Sequence, residues 1–373
     1  MNVKKALSYL GLAIIFSLSS LSFAADNHKD EGHTEKEFNV SEMIMHHVKD
    51  AHEWHLWGPE HGGTAIYLPV ILKTADGIKV FSSSHLYHGS HFEGQDDKGN
   101  HVSYLIGKDD AEGFGMFHEK IYELDEHGAL HFENGHVHGN VKPTDLSITK
   151  NVLSLFIGAF IIFMLMFSCA KFYKNHGAVA PKGIAKFLEP LIIFVQDDIA
   201  KANINEKKYK KFVPFLLTIF FFIWINNLLG LVPIFPGSAN VTGNISVTLF
   251  LASMTLIITL VNGNKNYWGH IFSPPGVPKL LLPIMIPIEI VGVFTKPFAL
   301  MIRLFANITA GHIIILALIS IIFINKNVAW GALSVPMALF ISVLELLVAA
   351  LQAYLFALLS ALFIGAAVED AHH

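Results

Sequence analysis

One arginine, Arg303, stands inside the run Phe298-Ala-Leu-Met-Ile-Arg303-Leu-Phe-Ala-Asn307-Ile-Thr-Ala-Gly311-His312, among residues that belong in lipid. A guanidinium keeps its proton at any physiological pH. Near the centre of a bilayer it costs about 2.5 kcal/mol or more, so a charge held there marks an ion pathway. A second apolar run, Leu339 to Ile364, carries one carboxylate and one amide, Glu345 and Gln352. Glu345 and His312 can both take up and release protons, and histidine does so near neutral pH. The chemistry these residue types suit is proton transfer through a membrane, with Arg303 as a fixed charge.

Their spacing predicts how they meet. Asn325-Lys326-Asn327 is the only plausible turn between the two runs, so the pair reads as an antiparallel helical hairpin. In such a hairpin the numbers of facing residues sum to a constant, here near 656. Arg303 with Gln352 gives 655, and His312 with Glu345 gives 657. Arg303 and His312, nine residues apart, point in different directions on an ideal helix. His312 is therefore expected to face into the hairpin, and Arg303 to face a separate partner.

The arms that carry these residues, Leu282 to Ile324 and Val328 to Val368, would each run to about 60 Å as helices, whereas about 20 residues cross a bilayer. Tilt or a break is required, and Pro283, Pro287, Pro297 and Pro336 are candidate kinks. Glu289, Lys296 and Arg303 recur every seven residues on one face. Glu289 belongs either to the ion pathway or to a structural ion pair with Lys296.

The segment Lys296 to His312, together with Glu345-Leu-Leu-Val-Ala-Ala-Leu-Gln352-Ala-Tyr-Leu-Phe, resembles subunit a of the F-type ATP synthases. The likeness covers roughly Ile148 to the C-terminus. It implies a stator subunit that conducts protons through two half-channels to and from the carboxylates of a rotor c-ring. Arg303 would face that ring. Asn307, His312, Glu345 and Gln352 would line or border the outer half-channel, and Glu289 would lie on the exit side. The implied partners are the c-ring, a peripheral-stalk subunit b, the remaining synthase subunits, the lipid bilayer and protons, with no nucleic acid. The chain departs from the family pattern in Ala306, where glycine is common, and in a long extension before the first span.

Composition agrees with a membrane protein, with 53% hydrophobic and 15% charged residues. Residues 26–147 hold 22 of the 30 acids and 16 of the 21 histidines, and the remainder is apolar and mildly basic. Two parts follow, an exported acidic extension over 25–147 and a membrane domain over 148–373. Residues 1–24 read as a secretory signal. Apolar spans fall near Ile148–Ala170, Phe212–Val232 and Ile245–Val261, followed by the two arms. Residues 171–211 hold nine lysines and 232–244 no basic residue, which puts the first connection in the cytoplasm and the second outside. The expected fold is an all-α integral membrane protein of a bacterial inner membrane. It has about five transmembrane helices, an interfacial helix over Ile184–Ala200, and two long, tilted, antiparallel last helices. The mature N-terminus would be periplasmic and the C-terminus cytoplasmic. The single cysteine, Cys169, excludes an intrachain disulfide.

The extension is expected to be α+β or partly disordered. Thr64 to Phe81 suggests two short strands around Asp76-Gly77, and Asn39 to Trp57 suggests an amphipathic helix capped by Asn39 and Glu42. His46, His47, His52 and His55 cluster there, and His131, His136 and His138 follow. Three roles stay open, namely an assembly cap with solvated histidines, a proton-buffering vestibule, or metal capture without a fixed ligand spacing. A Gly-x-x-x-x-Gly-Lys-[Ser/Thr] run is missing, so nucleotide chemistry belongs to other chains, and no cofactor is expected. A histidine-rich metal transporter or a secondary transporter is the alternative. The first would place ligands in several spans, and the second would show internal repeats.

Overall fold

A computed structural model of the chain describes residues 49–57, 64–95, 98–99, 101–133, 135–177, 179–232, 235, 237, 239–273 and 278–369. The chain divides into two units, Met1–Asn39 and Val40–His373, and all of these residues belong to the second. The signal over 1–24, His46, His47 and most of the helix expected over Asn39–Trp57 lie outside them.

Five helical segments are long and apolar enough to cross a membrane. They are α2 (Lys150–His176), α4 (Val213–Leu231), α5 (Ile245–Asn262), α7 (Leu282–Ile324) and α8 (Gly331–Val368), the last preceded by a short helical turn over Val328–Trp330. The two arms thus form at their expected bounds, with Pro287, Pro297 and Pro336 inside continuous helix. Between α2 and α4 runs α3 (Ile184–Phe194), which continues as a wider turn of helix over Val195–Lys201. A short helix that the hydropathy pattern does not announce, α6 (Lys265–Phe272), begins at an Asn264 cap.

Lipid offers apolar side chains no gain from leaving water, so helices in it associate where small residues allow close packing. α8 supplies such a stripe: Ala349, Ala353, Ala357, Ala361 and Gly365 recur every four residues and are buried. α8 packs along α4 and α7, and the backbone carbonyl of Asn203 lies so close to Gly365 that no side chain would fit there. Hydroxyl groups join α5 to α8, where Thr255 Oγ1 lies 3.1 Å from Ser360 Oγ.

The extension is built of strands. β3 (Pro69–Thr74) and β4 (Gly77–Ser82) form the expected hairpin, and Gly77 takes φ 128° at its turn. β11 (Thr144–Asp145) pairs with the other edge of β3. A meander follows the order β5 (Ser90–Gln95), β6 (His101–Ile106), β7 (Phe114–Phe117) and β8 (Lys120–Glu123). Val70, Leu72, Phe81, Leu86, Phe114, Met116 and Ile121 form its core, with Leu86 on the single-turn helix α1 (Ser84–Tyr87). β9 (Phe132–Glu133) and β10 (His136–Val137) pair with each other.

The helix expected to end at Trp57 is corrected here. Glu53–Trp57 is β1, paired antiparallel with β2 (Thr64–Tyr67). The strand pattern wins because alternate side chains face opposite ways: Trp54 is buried against Ala239 and Val241 and lies edge-on to Phe235, while His55 is exposed. The loop between α4 and α5 is thereby packed against the extension.

Candidate functional site

His312 on α7 and Glu345 on α8 meet as their matched depth predicts, with Nδ1 and Oε1 3.6 Å apart. Glu345 is only 4% exposed, and neither of its oxygens has a hydrogen-bond partner among the described residues. Small residues make the room. A Cβ on Gly311 would fall on the Glu345 carboxylate, and one on Gly230 of α4 would lie 3.8 Å from His312 Nε2. Three helices therefore converge on a buried carboxylate that faces an imidazole. A buried charge left unpaired is costly, so the site is poorly suited to a permanent ionic lock.

The other expected residues are distributed differently. Gln352 is buried two turns beyond Glu345. Arg303 and Asn307, one turn apart, are exposed on the outer face of α7. Arg303 matches Gln352 in depth, yet among the described residues it makes no hydrogen bond to it and has no carboxylate partner. Its surroundings on that face are Ala299, Ala306 and Ala310, all exposed and small. Glu289 is half-buried, and 23 residues of helix, about 34 Å, separate it from His312. Lys296 is exposed and forms no ion pair with Glu289, which removes the structural pair as a reading. Seven residues align two side chains on a face but set them about 10 Å apart, beyond contact.

A second set of polar groups leads from the extension to this pair. Asp50 caps α2, accepting the Thr149 hydroxyl at 2.8 Å and the Asn151 amide at 3.0 Å. The face that α2 buries is polar or small, comprising Asn151, Ser154, Gly158 and Cys169. Asn151 Oδ1 and Ser154 Oγ have no partner among the described residues, and neither has Asn226 Oδ1 of α4, whose side chain lies over Gly158. The next residue, Asn227, accepts from Thr242 at 2.5 Å and donates to the carbonyl of Ala349, one turn from Glu345. Two adjacent asparagines in the apolar run Phe212–Val232 were the signal that could have disclosed this line. Asp50, lying far from the spans in sequence, gave none.

At the base of the extension His52 is 2% exposed and lies 3.1 Å from Asp145 and 4.0 Å from Glu119. Glu119 also accepts the Tyr87 hydroxyl at 2.7 Å. The turn that presents Glu119 has positive φ at both His118 and Glu119, 50° and 64°, a conformation side chains seldom take. Burial opposes charge on His52, yet the hydrogen bonds to Asp145 and Glu119 prevail and raise its pKa to about 9. Asp145 is also opposed by burial but is held down at about 2, chiefly by its bond to His52. The His52 contribution to stability is complete below its ordinary 6.5 and is lost as pH rises through about 9. That of Asp145 is present above 3.8 and is lost as pH falls through about 2. Between pH 6.5 and 9 the chain should therefore lose about 3 kcal/mol of stability. Denaturant midpoints followed by tryptophan fluorescence should fall over that interval in the wild type and stay level in His52→Gln. Equal slopes for the two would show that the imidazolium contributes nothing.

Among the described residues no three His, Cys, Asp or Glu side chains converge as a metal site needs. His131 instead meets Asp125 at 2.8 Å and His138 meets Glu133 at 3.6 Å.

Five apolar helical segments around a buried ionisable pair define an integral membrane protein of the ion-translocating class. The family model described as ATP synthase A chain matches residues 152–365, and a second, Domain of unknown function (DUF8433), matches 43–146. ATP synthase subunit a of Chloroherpeton thalassium is 44% identical over 274 residues, 71% of this chain and 79% of the relative. ATP synthase subunit a 2 of Chlorobaculum tepidum is 48% identical over 63% of this chain and 68% of its own length. The subunit a of Myxococcus xanthus is 45% identical over 61% and 75%. The chain belongs to the ATP synthase A chain family. Membership makes it a proton-translocating, non-catalytic part of the membrane sector and disfavours the metal-carrier and secondary-transporter readings.

Proposed function

We propose that this chain carries protons along two offset paths that meet a rotor ring of carboxylate-bearing helices at Arg303. The observation that carries the reading is the buried His312 and Glu345 pair, together with an arginine on the outer face of α7 that has no acidic partner among the described residues. Protons reach His312 and Glu345 from the side of the extension, pass to a ring carboxylate, and leave past Arg303 toward Glu289 at the opposite end of α7. Asn307 and Gln352 border the same route. The alanines around Arg303 support a close approach by another helix, because small side chains let backbones come together. A peripheral-stalk subunit b and a soluble catalytic head complete the assembly.

The division into an exported part over 25–147 and a membrane part over 148–373 fits a strand-built region followed by apolar helices. The nine lysines of 171–211 support a cytoplasmic location for the connection between α2 and α4, which puts the extension outside and the C-terminus inside. α3 is then the helix lying at the membrane surface. Cysteines at Glu126 and Lys207, both exposed, test this orientation. In intact cells position 126 should react with an impermeant thiol reagent, and position 207 only after the membrane is opened. Labelling of 207 from outside would invert the arrangement. The function itself is tested by passive proton conduction of the complex reconstituted in liposomes: the wild type should conduct, and loss of the His312 and Glu345 groups should slow it.

A further inference from the structure

Charged groups of the extension gather at the head of α2, and His52 and Glu53 among them are buried. Asp50, His52, Glu53, Glu119, Asp145 and Lys150 converge where the extension joins α2, and the Lys150 ammonium interacts with Asp50, Glu119 and Glu53. Asp145 and Glu119 hold His52 from two sides, and Tyr87 holds Glu119 from a third. Asp50 is placed otherwise. It is half-buried at the outer end of the line of Asn151, Ser154 and Asn226, with His52 and Lys150 as its charged neighbours. Three of the polar atoms along that line are buried and have no partner among the described residues. Each leaves a hydrogen-bonding demand of about 1–3 kcal/mol, which water can satisfy.

We propose that Asp50 is the outermost proton-transfer group of the uptake path: it accepts protons from the external solution and passes them through water held by Asn151, Ser154 and Asn226 to His312 and Glu345. The function thereby assigned to the extension is proton collection, with His52, Glu119 and Asp145 as the clamp that fixes Asp50 over the head of α2. Burial raises the Asp50 carboxyl above the ordinary carboxylate range, against the hydrogen bonds from Asn151 and Thr149, which suits a group that must be protonated and discharged in turn. No covalent change is involved, since each proton taken up at Asp50 leaves toward His312. This proposal rests on the reading of His312 and Glu345 as the uptake side.

The test uses the complete complex in liposomes with the extension outward and measures proton influx driven by a potassium diffusion potential. Asp50→Asn and Asp50→Ser both remove the titrating group, and Asp50→Asn keeps an oxygen that can accept the Asn151 amide. At alkaline external pH and low buffer, where proton delivery limits the rate, each should reduce influx about tenfold, a small part of what a positioned proton-transfer group contributes. Added mobile buffer or acid external pH should restore the flux, and Asp50→Glu should retain it throughout. Glu126→Gln, on the exposed surface, should behave as wild type. Influx by both Asp50 variants equal to wild type at every pH would overturn the proposal. So would a deficit that buffer does not relieve, because it would make Asp50 a structural cap only. Influx in the wild type that His312→Ala leaves untouched would instead defeat the underlying reading of the uptake side.

Discussion

Arg303→Ala is expected to abolish both proton-driven ATP synthesis and ATP-driven proton pumping while hydrolysis by the soluble head continues. The residue is exposed on α7 and has no acidic partner among the described residues, so its removal disturbs no internal ion pair. What it removes is a fixed positive charge on the face proposed to meet the ring. Such a charge favours the ionised form of a carboxylate that passes it. A protonated site must therefore discharge before passing, which keeps the two paths from joining. Arg303→Lys should fail as well, because a compact ammonium lacks the planar fork of donors and can lose its proton when desolvated. Synthesis is measured in proteoliposomes under an imposed proton gradient. An alanine variant that makes ATP near the wild-type rate would sink the assignment of Arg303 as the separator.

The second large effect concerns the buried pair. His312→Ala and Glu345→Ala should each slow proton uptake by about a hundredfold, as expected when a positioned proton-transfer group is lost. The exchange His312→Glu with Glu345→His should recover part of that loss, because the two groups lie 3.6 Å apart and each helix keeps one titratable residue. Gly311 and Gly230 make the room that the carboxylate and the ring occupy at this point. Uptake is read as the initial rate of passive conduction in the reconstituted complex. A double variant as slow as the worse single variant would mean that the residues act separately and that their contact is incidental.

The pairing was legible because a hairpin turns sequence position into depth. One plausible turn, Asn325-Lys326-Asn327, sufficed to set His312 opposite Glu345. The same sum set Arg303 opposite Gln352, and there depth was not contact, since direction around the helix axis decides which groups touch. The exposure of Arg303 was foreseen from the half-turn between it and His312. The polar line through Asn151, Ser154 and Asn226 was not, because it consists of single uncharged residues whose meaning depends on which helices are neighbours. The extension was least legible. The pattern around Asn39 and Glu42 suits a helix start, but whether Glu53–Trp57 is helix or strand is settled by β2 and by the seat of Trp54 against the loop between α4 and α5. Such long-range contacts override local propensity.

The exposed guanidinium also shapes the life of the chain before assembly. A newly inserted copy standing alone holds Arg303 against hydrocarbon at a cost of about 2.5–3.5 kcal/mol, which is a large share of the roughly 5–15 kcal/mol that holds an ordinary fold together. A partner that brings a carboxylate to that face removes the cost and stabilises the folded form by mass action. On the proposed reading the orphan copy should be the one most open to membrane proteases, and Arg303 should double as a mark of incomplete biogenesis. Abundance of the subunit in a cell should then follow the supply of its ring rather than the rate of its own synthesis.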